Sequence, residues 1–225
     1  MNDFSFWRRW VFANSISETI GLGTTFIVGF SLVAQFGEGS GWMSVLFFAG
    51  VAVALGMFEG FVVGVAQGAV MRQRLANFKI RSWVIATIIG ALLAWMLGML
   101  PSTLMNLAAN DASSAPPMDM PDWISIVLAM PLGAVAGVIL ASAQWLALRR
   151  WIAHAWVWLP ANALAWLVGM PVIFIGTSMI QADTSAIQSA LMILVAIAIA
   201  GAVVGAIHGS VLVKLLPAIE TRRVQ

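Results

Sequence analysis

The chain has 225 residues, of which 61% are hydrophobic and 9% carry a charge, against about 25% charged in soluble proteins. Its mean hydropathy is +0.97, which excludes both a soluble domain, for want of polar surface, and a disordered chain. The apolar runs are continuous well beyond ~18 residues, the signature of membrane helices, where barrel strands alternate apolar and polar. Cysteine is absent, so disulfides and thiolate metal sites are excluded. A net charge of +2 gives no footprint for nucleic acid.

Six apolar segments are expected to cross the membrane as helices, over residues 10–35, 42–70, 83–107, 123–148, 156–180 and 187–215. Each exceeds the ~20 residues that span the hydrocarbon layer. Trp7, Trp10, Trp42, Trp83, Trp123, Trp151 and Trp156 fall at segment ends, as interfacial tryptophans do. The first segment follows Arg8 and Arg9 and is too long for a cleaved leader, so it is expected to stay as a signal anchor.

All eleven basic residues fall on one side of this pattern: Arg8 and Arg9; Arg72, Arg74, Lys79 and Arg81; Arg149 and Arg150; Lys214, Arg222 and Arg223. The positive-inside rule makes both termini and these loops cytoplasmic. The opposite loops carry Glu38, Asp111, Asp119, Asp122 and Asp183. Residues 106–122, rich in Pro, Ser and Asp, read as a solvated turn-rich loop. A bacterial inner membrane is the expected location.

The even segments align with one another. Gly60, Gly64 and Gln67 correspond to Gly137, Ala141 and Gln144, and to Gly201, Gly205 and His208, at offsets of 77 and 64 residues. The odd segments align more weakly. Asn14, Glu18 and Gly21 correspond to Ala91, Trp95 and Gly98, and to Asn162, Trp166 and Gly169, again with a first offset of 77. The expected fold is therefore an all-α membrane protein, a single domain of six helices in three parallel two-helix hairpins. The hairpins lie near 1–78, 79–154 and 155–225.

Residues at i, i+4 and i+7 share a helix face, and small residues four apart let helices approach closely in lipid. The even segments are thus expected to pack on one another through Gly60, Gly64, Gly137, Gly201 and Gly205, around a pseudo-threefold axis. Gln67, Gln144 and His208 then form a polar packing ring at one depth.

The stretch Gly137-x6-Gln144-Trp145-x2-Leu148-Arg149-Arg150 resembles uncharacterised bacterial multi-pass membrane proteins built from repeated two-helix hairpins. The A-W-x-x-G patterns at Ala94–Gly98 and Ala165–Gly169 are similar too. The resemblance covers most of the second and third hairpins. The first departs from it, with Gln67-Gly68 and Glu18 where the pattern has tryptophan. It implies the hairpin architecture and no activity.

Ionisable residues inside membrane spans are costly and point to function. Glu18 lies about 13 Å and Glu59 about 19 Å from the basic side, at 1.5 Å per helical residue. Segments 1 and 2 are consecutive and expected to be neighbours, which can bring the two carboxylates together. With Asn14 and Thr19 nearby, Glu18 and Glu59 form a candidate proton or cation site. The bland alternative is that each carboxylate is capped by a neighbouring helix. His208 could ligate haem or a pigment, but its repeated position favours the packing ring.

Enzyme signatures are poor. Ser142 and His208 suggest a rhomboid-like pair, but the G-x-S-G motif is missing. The repeat motif of mitochondrial carriers and any motif of vitamin-uptake subunits are missing too. No metal site and no cofactor are expected, and no enzymatic activity. The first functional reading is a non-enzymatic helical subunit or scaffold, packed in the lipid bilayer against other membrane protein subunits. The second is a small proton- or cation-coupled transporter or channel using Glu18 and Glu59. A pigment- or haem-binding subunit comes third.

Overall fold

A computed structural model describes residues 2–37, 42–75, 77–111, 121–181 and 183–216. Every regular element among them is helical, and six helices are long and apolar enough to cross a membrane. Helix α1 (Asp3–Phe36) begins seven residues before the apolar run, because the Asn2 side chain accepts the Ser5 N–H at 2.8 Å and caps it. It ends at Gly37, whose φ of 71° glycine tolerates without a Cβ clash. Helices α2 (Trp42–Met71) and α3 (Ile80–Asp111) follow.

Residues 106–111, expected in the polar loop, instead extend α3. Residues 112–120 of that loop, with Asp119, lie outside the described residues, as do Glu38, Glu220, Arg222 and Arg223. Helix α4 spans Asp122–Leu148. A short 3-10 turn, Ala155–Val157, leads into α5 (Trp158–Ser178). Helix α6 (Ala186–Leu215) starts with a capping box between Ser185 and Gln188.

The helices form a closed ring in chain order: each packs on its predecessor and its successor, and α6 packs on α1. The starts of α1, α3 and α5 and the ends of α2, α4 and α6 meet at one end of the bundle. Phe6, Leu75, Phe78, Trp83, Leu148, Ile152, Trp158 and Leu216 are buried together there. Arg9 Nη1 donates to Gln73 Oε1 at 3.2 Å, Arg74 pairs with Asp3, and the Arg74 guanidinium lies over the Phe6 ring at 5.2 Å. This is the basic end of the bundle.

The glycine faces do not meet one another, contrary to the arrangement expected from their spacing. Each even helix presents its small residues to the odd helix that follows it in the ring. A Cβ on Gly60 would lie 2.7 Å from Ala91 Cβ, and one on Gly64 3.0 Å from Val84 Cα, both on α3. On Gly137 it would lie 2.5 Å from the Asn162 carbonyl oxygen, on α5. On Gly201 and Gly205 it would meet Ser15 Cα at 3.0 Å and Asn14 Cβ at 2.9 Å, on α1. Three of the helix interfaces, α2 on α3, α4 on α5 and α6 on α1, thus rest on contacts or near-contacts that only a hydrogen at Cα allows.

Glycine is also poor in a free helix, so its cost must be recovered in close packing. Gly133 and Gly137 should therefore be intolerant of a methyl group, since a Cβ would lie 2.2 Å from the Trp166 carbonyl oxygen and 2.5 Å from that of Asn162. Gly133→Ala and Gly137→Ala are expected to destabilise by about 1–3 kcal/mol through overpacking. Gly29 and Gly50 have nothing within 4 Å of a Cβ, so Gly29→Ala and Gly50→Ala should be neutral or stabilise by up to about 1 kcal/mol. Thermal unfolding in mild detergent separates the two pairs; equal shifts in all four would contradict the packing described.

Candidate functional site

The centre of the ring is filled differently in its two halves. Toward the basic end the filling is aromatic and polar. Trp10, Trp83 and Trp158 are fully buried. Trp158 stands 6.1 Å, centroid to centroid, from each of the other two. The His208 ring lies 5.1 Å from Trp158 and 5.7 Å from Trp10.

A chain of side-chain hydrogen bonds threads these rings. Trp10 Nε1 donates to His208 Nδ1 at 2.9 Å, joining α1 to α6. Trp158 Nε1 donates to Gln144 Oε1 at 2.9 Å, joining α5 to α4. Gln144 Nε2 donates to Thr87 Oγ1 at 3.1 Å and to Gln67 Oε1 at 3.2 Å. Gln67 Nε2 donates to Asn14 Oδ1 at 2.9 Å. Asn14 and Asn162 each return their Nδ2 to a carbonyl one turn back, at Trp10 and Trp158. In hydrocarbon, polar groups must be satisfied inside the protein, and this network does so with partners from all six helices. The indole N–H of Trp83 is an exception, buried with no hydrogen-bond partner among the described residues.

The carboxylates lie one to two turns further from the basic end. Glu18 is 3% exposed, and its Oε2 has no hydrogen-bond partner among the described residues. Its Cβ packs against Gly201 of α6. Glu59 packs its backbone on Gly21, where a Cβ would fall 2.8 Å from Glu59 Cα. Gly21 is one turn beyond Glu18 on the same face of α1, so this contact sets Glu59 about one turn from Glu18. Trp95 Nε1 donates to Glu59 Oε2 at 2.9 Å. Gly56, one turn before Glu59, makes this bond possible: a Cβ there would lie 2.1 Å from Trp95 Cδ1, inside the space the indole fills.

Beyond this level the ring encloses a cavity of about 330 Å³. Five helices line it: α1 through Leu22 and Phe26, α2 through Glu59, and α3, α4 and α5 through residues that include Trp95, Ala136 and Trp166. Glu59 is the one charged residue in this lining. Ala91 and Leu140 form its inner end, one turn from Thr87 and Gln144 of the network. The cavity therefore ends, toward the basic side, on the hydrogen-bonded tryptophan plug. At its wall Gly98 and Leu132 are exposed on the bundle surface, which opens it between α3 and α4.

The expected site residues are thus divided. Glu18 and Glu59 are brought to one level. Asn14 is separated from them, because both ends of its amide are committed to Gln67 and Trp10. Thr19 Oγ1 bonds the Ser15 carbonyl of its own helix. Gln67 and Gln144 touch, while His208 joins them indirectly, by hydrogen bonds through Trp10 and Asn14 and by ring contact through Trp158. Its imidazole is 1% exposed between two indoles, leaving no space beside it for a macrocycle. Ser142 Oγ is bonded to the Val138 carbonyl, away from His208. No group of three His, Asp or Glu residues able to hold a metal occurs among the described residues.

Trp10 and Trp83, expected at the membrane interface, are instead at the centre. Trp42, Trp123 and Trp156 are the exposed ones. Four residues of the site escaped the sequence reading: Trp10, Thr87, Trp158 and Trp95. The first three carried a readable signal, since they are separated by 77 and 71 residues, the offsets of the odd-segment alignment. No known protein family, curated protein or solved structure matches the chain.

The Trp10–His208 bond gives a direct test of the plug. Removing one partner leaves the other buried and unsatisfied. Trp10→Phe and His208→Phe should each destabilise the protein, and the double variant should be less damaged than their sum. Unfolding in detergent should give a coupling of about 0.6–2 kcal/mol, the range of interhelical hydrogen bonds in membranes. Strict additivity would mean the bond does not form.

Proposed function

We propose that the protein is a small integral membrane transporter or channel, coupled to protons or to a cation through Glu18 and Glu59. The observation that carries this reading is Glu59, a carboxylate in the wall of an otherwise apolar cavity, placed about 19 Å along α2 from Arg72. A carboxylate at that depth is costly unless it exchanges a proton or meets a cation. Glu18, with one oxygen unpartnered one turn from the Glu59 contact, is the natural second station for that charge.

A scaffold would pack with partner subunits through glycine-rich faces and tryptophan-rich rims. The glycine faces are occupied within the chain, so that support falls away. The internal duplication adds to the transporter reading in a different way. Trp10 and Trp158, at corresponding positions of the aligned segments, make corresponding bonds to the preceding even helix. At the positions aligned with Glu18 the other hairpins carry Trp95 and Trp166, and at those aligned with Glu59 they carry Ala136 and Ala200, so both carboxylates belong to the first hairpin alone. The basic residues gathered at one end support cytoplasmic termini by the positive-inside rule, with the cavity on the far side of the plug.

In this reading the plug separates the cavity from the cytoplasm, and passage requires Trp10, Trp83 and Trp158 to part. In proteoliposomes the protein should carry a proton flux driven by an imposed gradient. Glu18→Gln and Glu59→Gln should each reduce it by about tenfold or more, equivalent to about 1.4 kcal/mol or more. Fluxes unchanged in both variants would remove these residues from any transport role.

A further inference from the structure

We infer that the cavity takes an amphipathic monovalent organic cation, whose charged head meets Glu59 and whose apolar part lies against the aromatic wall. This deepens the transport reading and rests on it only for what happens after binding.

The wall chemistry selects the ligand class. A volume of about 330 Å³ is within the range of small-molecule sites and far exceeds what a single ion needs. An inorganic cation needs several oxygen ligands, about six to eight for calcium. Among the lining residues only Glu59 offers side-chain oxygen, and Trp95 Nε1 already occupies one of its two atoms. An anion would face a carboxylate with no basic residue beside it. A neutral hydrocarbon would fill the apolar walls but leave the Glu59 carboxyl group without a polar partner for its second oxygen. A cation with hydrocarbon bulk satisfies both parts. Phe26, Trp95, Trp166 and Phe174 contribute ring surfaces to the lining, and aromatic faces attract weakly hydrated cations such as quaternary ammonium groups.

The route of entry fits the same class. Gly98 is exposed, with no atom within 4 Å of where its Cβ would be, and Leu132 is 43% exposed. Both belong to the cavity lining. The cavity thus opens on the apolar flank of the bundle, between α3 and α4. Amphipathic cations concentrate in a bilayer with their apolar part in the hydrocarbon, and such a ligand reaches this opening from the lipid.

A matched pair of probes isolates the charge: benzyltrimethylammonium and its neutral carbon isostere, neopentylbenzene. Calorimetric titration of the full chain in lipid nanodiscs, with empty nanodiscs as reference, should show the cation binding at least about tenfold tighter than the isostere. Glu59→Gln should abolish that preference while keeping the binding of neopentylbenzene. Gly98→Leu has room for its side chain and favours helix, so it should fold, fill the cavity and weaken both probes. Equal affinity of the two probes overturns the inference. So does a preference that survives Glu59→Gln, or binding untouched by Gly98→Leu, which also decides the matter if the Glu59 variant fails to fold. Cation binding without proton flux removes transport and leaves the ligand class standing; flux without discrimination between the probes does the reverse.

Discussion

A side-chain amide buried in hydrocarbon has to find its partners inside the protein, and Gln144 is where this bundle meets that demand. Its oxygen accepts from Trp158 and its nitrogen donates to Thr87 and Gln67. One residue of α4 thereby fixes the relative depth of α2, α3 and α5. Helix packing in lipid has little hydrophobic drive, so helices can slide or rotate unless polar contacts and close steric fits set their register. Gly137, two turns before Gln144, supplies the steric half by admitting the Asn162 carbonyl. The hydrogen bonds and the glycine contacts on this face require each other: the amides reach their partners only because the backbones come close.

This constraint divides the molecule into two unlike halves. Toward the basic end the ring is stoppered by three tryptophans and a satisfied polar network. Toward the other end five of the helices line open volume. The carboxylates occupy the boundary between them. Glu59 is held by a fit in two directions, its backbone on Gly21 and its carboxylate on an indole that lies against Gly56. Such a carboxyl group is oriented without an ion-pair partner among the described residues, and it faces a space large enough for another molecule.

Much of the architecture was legible in the sequence, and the limits of that reading have physical causes. Hydropathy and charge define six helices because crossing a bilayer imposes a length and a composition. The end of α3 was misjudged because Asn106–Asp111 is polar, and a helix can leave the membrane without ending. The spacing of Gly60 and Gly64 identifies the face that packs closely, but periodicity carries no information about which neighbour receives it. For that reason the even helices were matched with each other, when each in fact lies on an odd helix. Trp10 was assigned to the interface by its nearness to Arg8 and Arg9. Its alternative was also visible, since Trp10 shares a helix face with Asn14 and Gly21. The bond from Trp95 to Glu59 had no local signal at all, since it depends on Gly56 and on the packing of α2 against α3.

The contact of α6 with α1 closes the ring, and it bears on how such a chain is assembled. Gly201 and Gly205 cover Ser15, Asn14 and the Cβ of Glu18, and His208 receives the indole of Trp10. These groups belong to α1, which is synthesised before the helix that covers them. Until α6 arrives, one flank of α1 holds a carboxyl group, an amide and an indole N–H without their final neighbours. Closure of the ring is therefore a long-range event in folding, and it is what covers that flank of α1.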